Sequence, residues 1–594
     1  MGRPAAIATL LLFVGACGAR AGLPIVGTGD AVPALDDGPG TGDPDAGPPS
    51  PPPAPLLRWP YHGFRTGSVH AEASLRPRLR WDQVVGATRY EVEVDDSCVT
   101  ATLSRCAFPS PEAQLSVDGA SDEVTLPAAL PVARTAPVGR RYAWRVRACN
   151  ESGCSPWARP RYLDVGRVAA DFDGDGYADL AIGSPGTPGL VPREGRIVVL
   201  RGGPAGLGED PSLVLYPPLA RPTEDLGTAL LAVDLEGDGF ADLVTGLTVD
   251  EVGGRPRTLG LVYRGGPPGL ASVPAQAIPH TSDDEYASFH SGLAAADLAG
   301  DGFPELAVAA PLVEGQVLIF RGREGGLDME PIQRLLPEDL GSGLLGRSLA
   351  SGRDVDGDGF EDLLVGCDCG GQGRVFVAHG GELPLRRIVA LQEPSPSDRT
   401  REGAAVTGVD LDDDGFADVV VGAAGIGEVA GDPREARYHV YPGSRDGARQ
   451  AEAFTFDPPV DPDADWTFSV DVERAGDLTR DGLPDLWFAV SSDTLAFVGV
   501  LPGDRAGWIG EPLVLSDPPE GRFGRPAAAL DLDGDGAHEL VVGAPRYRIS
   551  SAGPYLGRVY LLDDAPPDGE PVLLPRPMLD GVEPEAFGHA LAID

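Results

Sequence analysis

The chain has 594 residues, too many for one ordinary hydrophobic core, and Gly (81) and Pro (59) together approach a quarter of it. That balance favours short strands and many turns over long helices. The formal charge is −43, with 47 basic residues against 90 acidic ones, which argues against nucleic-acid binding because phosphate neutralisation needs basic patches.

The N-terminus reads as a secretion signal. Arg3 supplies the positive charge, Ala5 to Val14 forms a short apolar run, and small residues lead to Cys17. The run is too short to span a bilayer. Val14-Gly15-Ala16-Cys17 resembles the bacterial lipobox, whose cysteine is acylated and becomes the new N-terminus. An ordinary signal peptide cut nearby is the alternative. The resemblance implies an exported protein anchored at the cell envelope through lipid on Cys17 alone, at the outer membrane if the host is Gram-negative. Residues 18–56 are rich in Pro, Gly, Asp and Ala without apolar periodicity, and read as a disordered tether.

Residues 57–166 differ from the C-terminal part of the chain. Arg78-Leu79-Arg80-Trp81-Asp82 and Tyr90-Glu91-Val92-Glu93-Val94 alternate as half-buried strands do, and Tyr142 to Ala148 reads as a further strand. The segment Tyr142 to Trp157 resembles the penultimate strand and turn of a fibronectin type III domain, with Trp81 at the core tryptophan and Tyr142 at the corner tyrosine of that family. The resemblance implies a β-sandwich acting as a spacer or binding module.

Six cysteines besides Cys17 fit an oxidising compartment. Local pairing of Cys98 with Cys106 and of Cys149 with Cys154 is the economical expectation, although spacing alone does not fix connectivity. Cys367 and Cys369 stand apart, as a local disulfide or two free thiols.

From residue 167 to 594 one acidic loop recurs seven times, beginning at Asp171, Asp234, Asp297, Asp354, Asp410, Asp477 and Asp531. Successive starts lie 63, 63, 57, 56, 67 and 54 residues apart. Tandem units of this length signal an architecture in which each unit buries its apolar face on its neighbours. Each unit reads as an apolar strand opening with words such as Leu226-Gly227, Leu345-Gly346 or Phe523-Gly524. The loop comes next, then a β-rich run ending in Gly, a third strand and a less regular fourth. The Phe-Gly opening, the Asp-x-Asp-Gly-Asp-Gly-x-x-Asp loop and the Gly-Ala-Pro ending resemble the FG-GAP repeat of the integrin α-subunit. The resemblance implies an all-β fold, a seven-bladed β-propeller over 167–594 preceded by the sandwich.

The loop chemistry stands without the family. Ca²⁺ takes six to eight oxygens at about 2.3–2.6 Å. Acids at positions 1, 3 and 5 put carboxylates on one side of a tight turn, Gly at position 6 permits the reversal, and position 9 adds another carboxylate. The candidate Ca²⁺ ligands are Asp171, Asp173, Asp175 and Asp179 in loop one, and Asp234, Glu236, Asp238 and Asp242 in loop two. Loop three offers Asp297, Asp301 and Glu305, loop four Asp354, Asp356, Asp358 and Asp362, and loop five Asp410, Asp412, Asp414 and Asp418. Loop six offers Asp477, Asp481 and Asp485, and loop seven Asp531, Asp533, Asp535 and Glu539. Ala299 and Thr479 remove a carboxylate at position 3, so loops three and six are expected to be the weakest sites. Unneutralised clusters of this kind would repel themselves, which weighs against solvated turns.

A calcium-binding lipoprotein, acting as a binding or adhesion module for a protein or glycan ligand, is the expected function, with a purely structural envelope scaffold as the alternative and a hydrolase-associated propeller as the less favoured one. The loops 184–195, 247–258, 423–436 and 544–557 are the candidate recognition surface. Catalysis is not expected. There is no Gly-x-Ser-x-Gly or His-Glu-x-x-His pattern, and the nearest polar cluster is His280 and His290 beside Asp283, Asp284 and Glu285. Two segments compete to complete the first unit. The expectation is that 165–171 close against the seventh unit and that 586–594 lie at an edge. The alternative puts the C-terminal strand in that slot.

Overall fold

Each repeat folds as four antiparallel strands, because its apolar runs are too short for helices and are punctuated by Gly and Pro. The computed structural model describes residues 50–592 apart from several segments, the longest being 187–193, 219–224, 251–255, 279–288, 393–399, 426–435, 457–468, 506–512, 517–525, 546–556, 563–574 and 581–588. Cys17 and the leader, the tether up to residue 49, His280, His290 and Phe523-Gly524 lie outside the described residues, as does much of each candidate recognition loop. The protein is all-β. Among the described residues the helices are one α-helical turn, Pro337–Leu340, and one 3-10 turn, Glu72–Leu75.

Repeat two is representative. Leu230–Val233, Asp242–Asp250, Pro256–Tyr263 and Gln276–Ile278 pair in that order, with Leu243 opposite Tyr263. The acidic loop joins the first strand to the second, so position 9 opens the second strand. Second strands are buried on both faces, as in Leu180–Ser184 and Glu539–Ala544. Seven such sheets succeed one another along the chain. Their packing is cyclic. Shared buried clusters join sheets two to three, three to four, four to five, five to six and six to seven. A further cluster holds Leu180 and Ile182 of the first sheet, Leu243 of the second, and Leu530 and Val541 of the seventh.

The first sheet corrects one expectation. Its fourth member is the C-terminal strand Ala590–Leu591, antiparallel to Leu180–Ser184 with Ile182 opposite Leu591. Residues 165–171 do not close the sheet. Arg161–Val165 pairs instead with Arg140–Asn150 in the N-terminal unit. Ala590, Leu591 and Ala592 enter the core cluster that holds Ile182, and Val165 enters the core of the N-terminal unit.

The N-terminal unit has two sheets. One is Leu57–Trp59, Arg78–Trp81 and Glu123–Thr125. The other runs Phe64–Arg65, Arg161–Val165, Arg140–Asn150, Arg89–Asp95, Ala113–Asp118. Trp81, Tyr90, Trp144 and Leu163 share the core between them. The Tyr142 hydroxyl donates back to the Pro131 carbonyl. Cys98 pairs with Cys106 and Cys149 with Cys154, and Cys367, on the second strand of sheet four, is disulfide-bonded.

Candidate metal centres

The loops repeat one hydrogen-bond pattern. In loops one to six the position-1 carboxylate accepts the N–H of the position-6 glycine at 2.8–2.9 Å, as Gly359 N donates to Asp354 Oδ2. In all seven the position-5 carboxylate accepts the position-7 N–H at 2.8–3.2 Å. Position 6 has a positive φ throughout, from 86° at Gly482 to 102° at Gly359, which is why glycine stands there. Backbone donors thus hold these carboxylates in place, leaving further lone pairs of a carboxylate for another ligand.

Position 9 separates the loops into two kinds. In loops one, two, four, five and seven its carboxylate accepts from position 2, as Val355 N donates to Asp362 at 3.0 Å. In loops three and six it accepts from position 3, Ala299 N to Glu305 at 3.2 Å and Thr479 N to Asp485 at 2.7 Å. These are the two loops that lack an acid at position 3. The position-9 carboxylate there closes on the residue whose counterparts in the other loops are acids.

Carboxylates converge without enough donors to satisfy them. Oxygens of Asp171, Asp173 and Asp179 lie within 4.8 Å of one another, as do those of Asp354, Asp356 and Asp358. Asp173 Oδ1, Glu305 Oε1 and Asp354 Oδ1 are buried and have no hydrogen-bond partner. Burial, with repulsion from neighbouring acids added, pushes Asp171 up to about 7, Asp242 to about 8, Asp418 to about 8 and Glu305 to about 9. Burial likewise holds Asp354 well above the usual carboxylate range, although Arg161 opposes it. Buried oxygens that lack donors, in an oxygen-only set rich in carboxylates, fit Ca²⁺. The candidate ligands are those at positions 1, 3, 5 and 9, and the ion would supply the positive charge that the loops lack.

The N-terminal unit sits on the loops themselves. Ser68 Oγ donates to Gly176 O at 2.6 Å, Val138 N to Gly174 O at 2.9 Å, and the His70 ring stacks on Tyr177 at 4.3 Å. The Tyr162 hydroxyl donates to Asp297, and Arg141 Nη1 donates to Gly302 O at 3.3 Å. In loop four Arg161 Nη2 donates to Gly357 O at 3.0 Å, and its Nη1 lies 3.7 Å from Asp354 Oδ2. Arg58 stacks on Phe416 and Arg78 pairs with Asp413 in loop five. Sequence reasoning missed this cover, and no signal in the N-terminal segment names the surface that receives it.

The loops also lean on one another. Ala241 N donates to Asp171 O and Ala417 N to Asp354 O, both at 2.9 Å, and Ala178 N donates to Asp531 O at 3.0 Å. The last bond joins loop one to loop seven. A Cβ added at Gly534 would meet Tyr177 at 2.7 Å, and one at Gly174 would meet Phe240 at 2.6 Å. The aromatic residue of one loop therefore needs the glycine of its neighbour.

Repeated sheets bearing one acidic loop each make this a repeat protein, and parts of the chain match FG-GAP repeats. Residues 168–200 and 523–562 match the FG-GAP repeat family, and 354–421 match the FG-GAP-like repeat. The chain is 33% identical over 234 residues to integrin alpha-PS2 of Drosophila melanogaster, covering 36% of this chain and 16% of that one. It is 37% identical over 155 residues to integrin alpha-5 of Xenopus laevis, covering 24% and 14%. The chain thus spans about a sixth or less of the length of these relatives. Among solved structures, the exotype rhamnogalacturonan lyase YesX is similar at 12% identity and a TM-score of 0.29, over 82% of this chain and 89% of that one. A score so low carries no argument.

Proposed function

We propose that this chain is a calcium-dependent binding module displayed at the cell envelope. In this reading the seven sheets are blades of one closed propeller, and the N-terminal unit is a fibronectin type III-like sandwich. The cyclic packing of the sheets and the return of Ala590–Leu591 to the first of them support the propeller. A three-stranded sheet facing a larger one, with a corner tyrosine, supports the sandwich. The reading of Ca²⁺ is carried by one observation above all, the buried carboxylate oxygens without donors in loops one, three and four. Ca²⁺ there would neutralise the loops and so hold the face on which the N-terminal unit rests.

That unit occupies the loop face, so a protein or glycan ligand is assigned to the opposite face, where the second and third strands of each sheet are joined. The FG-GAP repeats shared with integrin α chains support a binding or adhesion role. A structural scaffold is the second reading, favoured by the same cover over the loops. The lipobox-like Val14-Gly15-Ala16-Cys17 supports lipid anchoring, and among the described residues no helix is long and apolar enough to cross a membrane. The test is a protein and glycan array probed in Ca²⁺ and in chelator, using Cys17→Ser protein recovered from the soluble fraction. Ligands bound only in Ca²⁺ support the binding module, whereas an empty array favours the scaffold. A variant that still sediments with membranes after a high-salt wash refutes the anchor.

A further inference from the structure

Loop four differs from its neighbours in the residue standing behind it. Across the sheet from each of five loops, a glycine N–H donates to the position-9 carboxylate. The pairs are Gly202 to Asp179, Gly265 to Asp242, Gly380 to Asp362, Gly443 to Asp418 and Gly503 to Asp485, at 2.9–3.1 Å. The residue just before that glycine is Arg201, Arg264, His379, Pro442 and Pro502 in turn. Arg201 and Arg264 place guanidiniums on the position-3 acids Asp173 and Glu236. In loop four the guanidinium on Asp356 comes from Arg387, further along the chain, and an imidazole takes the inner place.

That imidazole is enclosed. His379 is 4% exposed, Asp356 6% and Asp362 0%. Nδ1 lies 3.3 Å from Asp356 Oδ2 and 3.3 Å from Asp362 Oδ2, yet it makes no directed hydrogen bond. One ligand atom from each of the three side chains falls within 4.8 Å of the others. The buried, unpartnered Asp354 Oδ1 belongs to the same loop.

Ca²⁺ takes oxygen ligands, whereas imidazole nitrogen with carboxylate suits first-row divalent ions. Two ligands about 2.0–2.1 Å from a tetrahedral ion stand roughly 3.3–3.4 Å apart, which is the separation seen from Nδ1 to each carboxylate. We propose that loop four is a mixed site for a first-row divalent ion such as Zn²⁺ or Mn²⁺, held by Asp356, Asp362 and His379 Nδ1, within a set of otherwise oxygen-only loops. The proposal rests on the reading that the loops bind cations. It narrows that reading for one of them. Arg387 pairs with the same oxygen, Asp356 Oδ2, and Asp358 N donates to Oδ1 at 3.2 Å, but each carboxylate oxygen has a further lone pair, which leaves capacity for an ion.

The full chain, stripped by chelator, is dialysed against Zn²⁺ in a large excess of Ca²⁺, and its metals are counted by mass spectrometry. The expected result is one retained Zn²⁺ per chain, lost in His379→Gln while the calcium content is unchanged. Mn²⁺-loaded wild-type protein should give a pulsed-EPR modulation from a coordinated imidazole nitrogen, a readout that needs no variant to fold. Equal zinc in wild type and His379→Gln, no zinc retained under excess Ca²⁺, or a Mn²⁺ signal without nitrogen coupling would each overturn the proposal. The last two results are those expected if His379 is simply packed against the two carboxylates. Calcium bound at the loops with no retained zinc sinks this proposal alone. Zinc that depends on His379, with no calcium bound anywhere, sinks the calcium reading and leaves this one standing.

Discussion

Loops four and six have similar wording and opposite surroundings. In loop four, Asp354, Asp356 and Asp362 are buried, and a Cβ on Gly359 would meet Arg161 Nε at 2.7 Å. In loop six, Asp477 is only half-buried, Arg480 and Asp481 are exposed, and a Cβ on Gly482 would meet nothing within 4 Å. Arg161 reaches loop four from the N-terminal unit, donating also to the carbonyls of Leu57, Arg58 and Pro60. The ion pair at loop six, Arg480 to Asp535 at 2.8 Å, has both side chains about 40% exposed. The same local sequence therefore carries a large desolvation cost at one place and a small one at the other. A covered loop needs positive charge that water no longer screens.

Removing divalent cations is expected to have the largest effect. An ion bound only by the folded form contributes about 2.7 kcal/mol per site at a hundredfold excess over its dissociation constant. Thermal melts with and without chelator at fixed ionic strength measure this. Equal midpoints would sink the calcium reading.

The contrast between the two loops is tested by Arg161→Ala against Arg480→Ala. The first leaves Asp354 without its guanidinium inside a buried contact and should cost about 3–5 kcal/mol. The second breaks a surface pair and should cost less than about 1 kcal/mol. Urea unfolding of the two variants decides. Similar losses would mean that the cover does not set the energetics of the loops.

Acid should loosen another part of the cover, where Arg141 pairs with Asp164 and donates to Gly302 O of loop three. Burial opposes ionisation of Asp164, but Arg141, Arg167 and Arg65 outweigh it and hold the carboxylate at about 2. A depressed folded value gives stability that is present above the unfolded value near 4 and lost as pH falls towards 2. The stake is about 2 kcal/mol. Asp164→Asn should flatten the pH dependence of stability in that window, and an unchanged profile would count against the pairing. The smallest effect is expected at limiting Ca²⁺. Loops three and six should empty first, with little change in melting, as read from ion occupancies in crystals. Vacancies elsewhere with these two filled would refute the ranking.

Much of the candidate site was legible because it is local. Positions 1, 5, 6 and 9 act within nine residues, and the required glycine φ and the Asp acceptors arise from the turn. The loss of position 3 at Ala299 and Thr479 was legible too, and the altered position-9 hydrogen bond appears in those two loops. The signal for His379 was weaker. Its place in repeats one to three is held by Arg201, Arg264 and Arg321, so the change to histidine stands out only once the glycine after it is seen to face position 9.

Local patterns in the chain were enough to anticipate the seven four-stranded repeat sheets, the position of each acidic loop between first and second strands, and the disulfides Cys98–Cys106 and Cys149–Cys154. Each of these depends on residues near one another in the chain, where periodicity and turn chemistry act directly. Long-range packing alone determined which strand completes the first sheet, since both candidate strands are short and differ chiefly in the core that each can enter. It also determined that the N-terminal unit covers the loops. That contact joins residues such as Arg161 and Gly357, 196 positions apart, and its worth comes from desolvating charge, which no local pattern records.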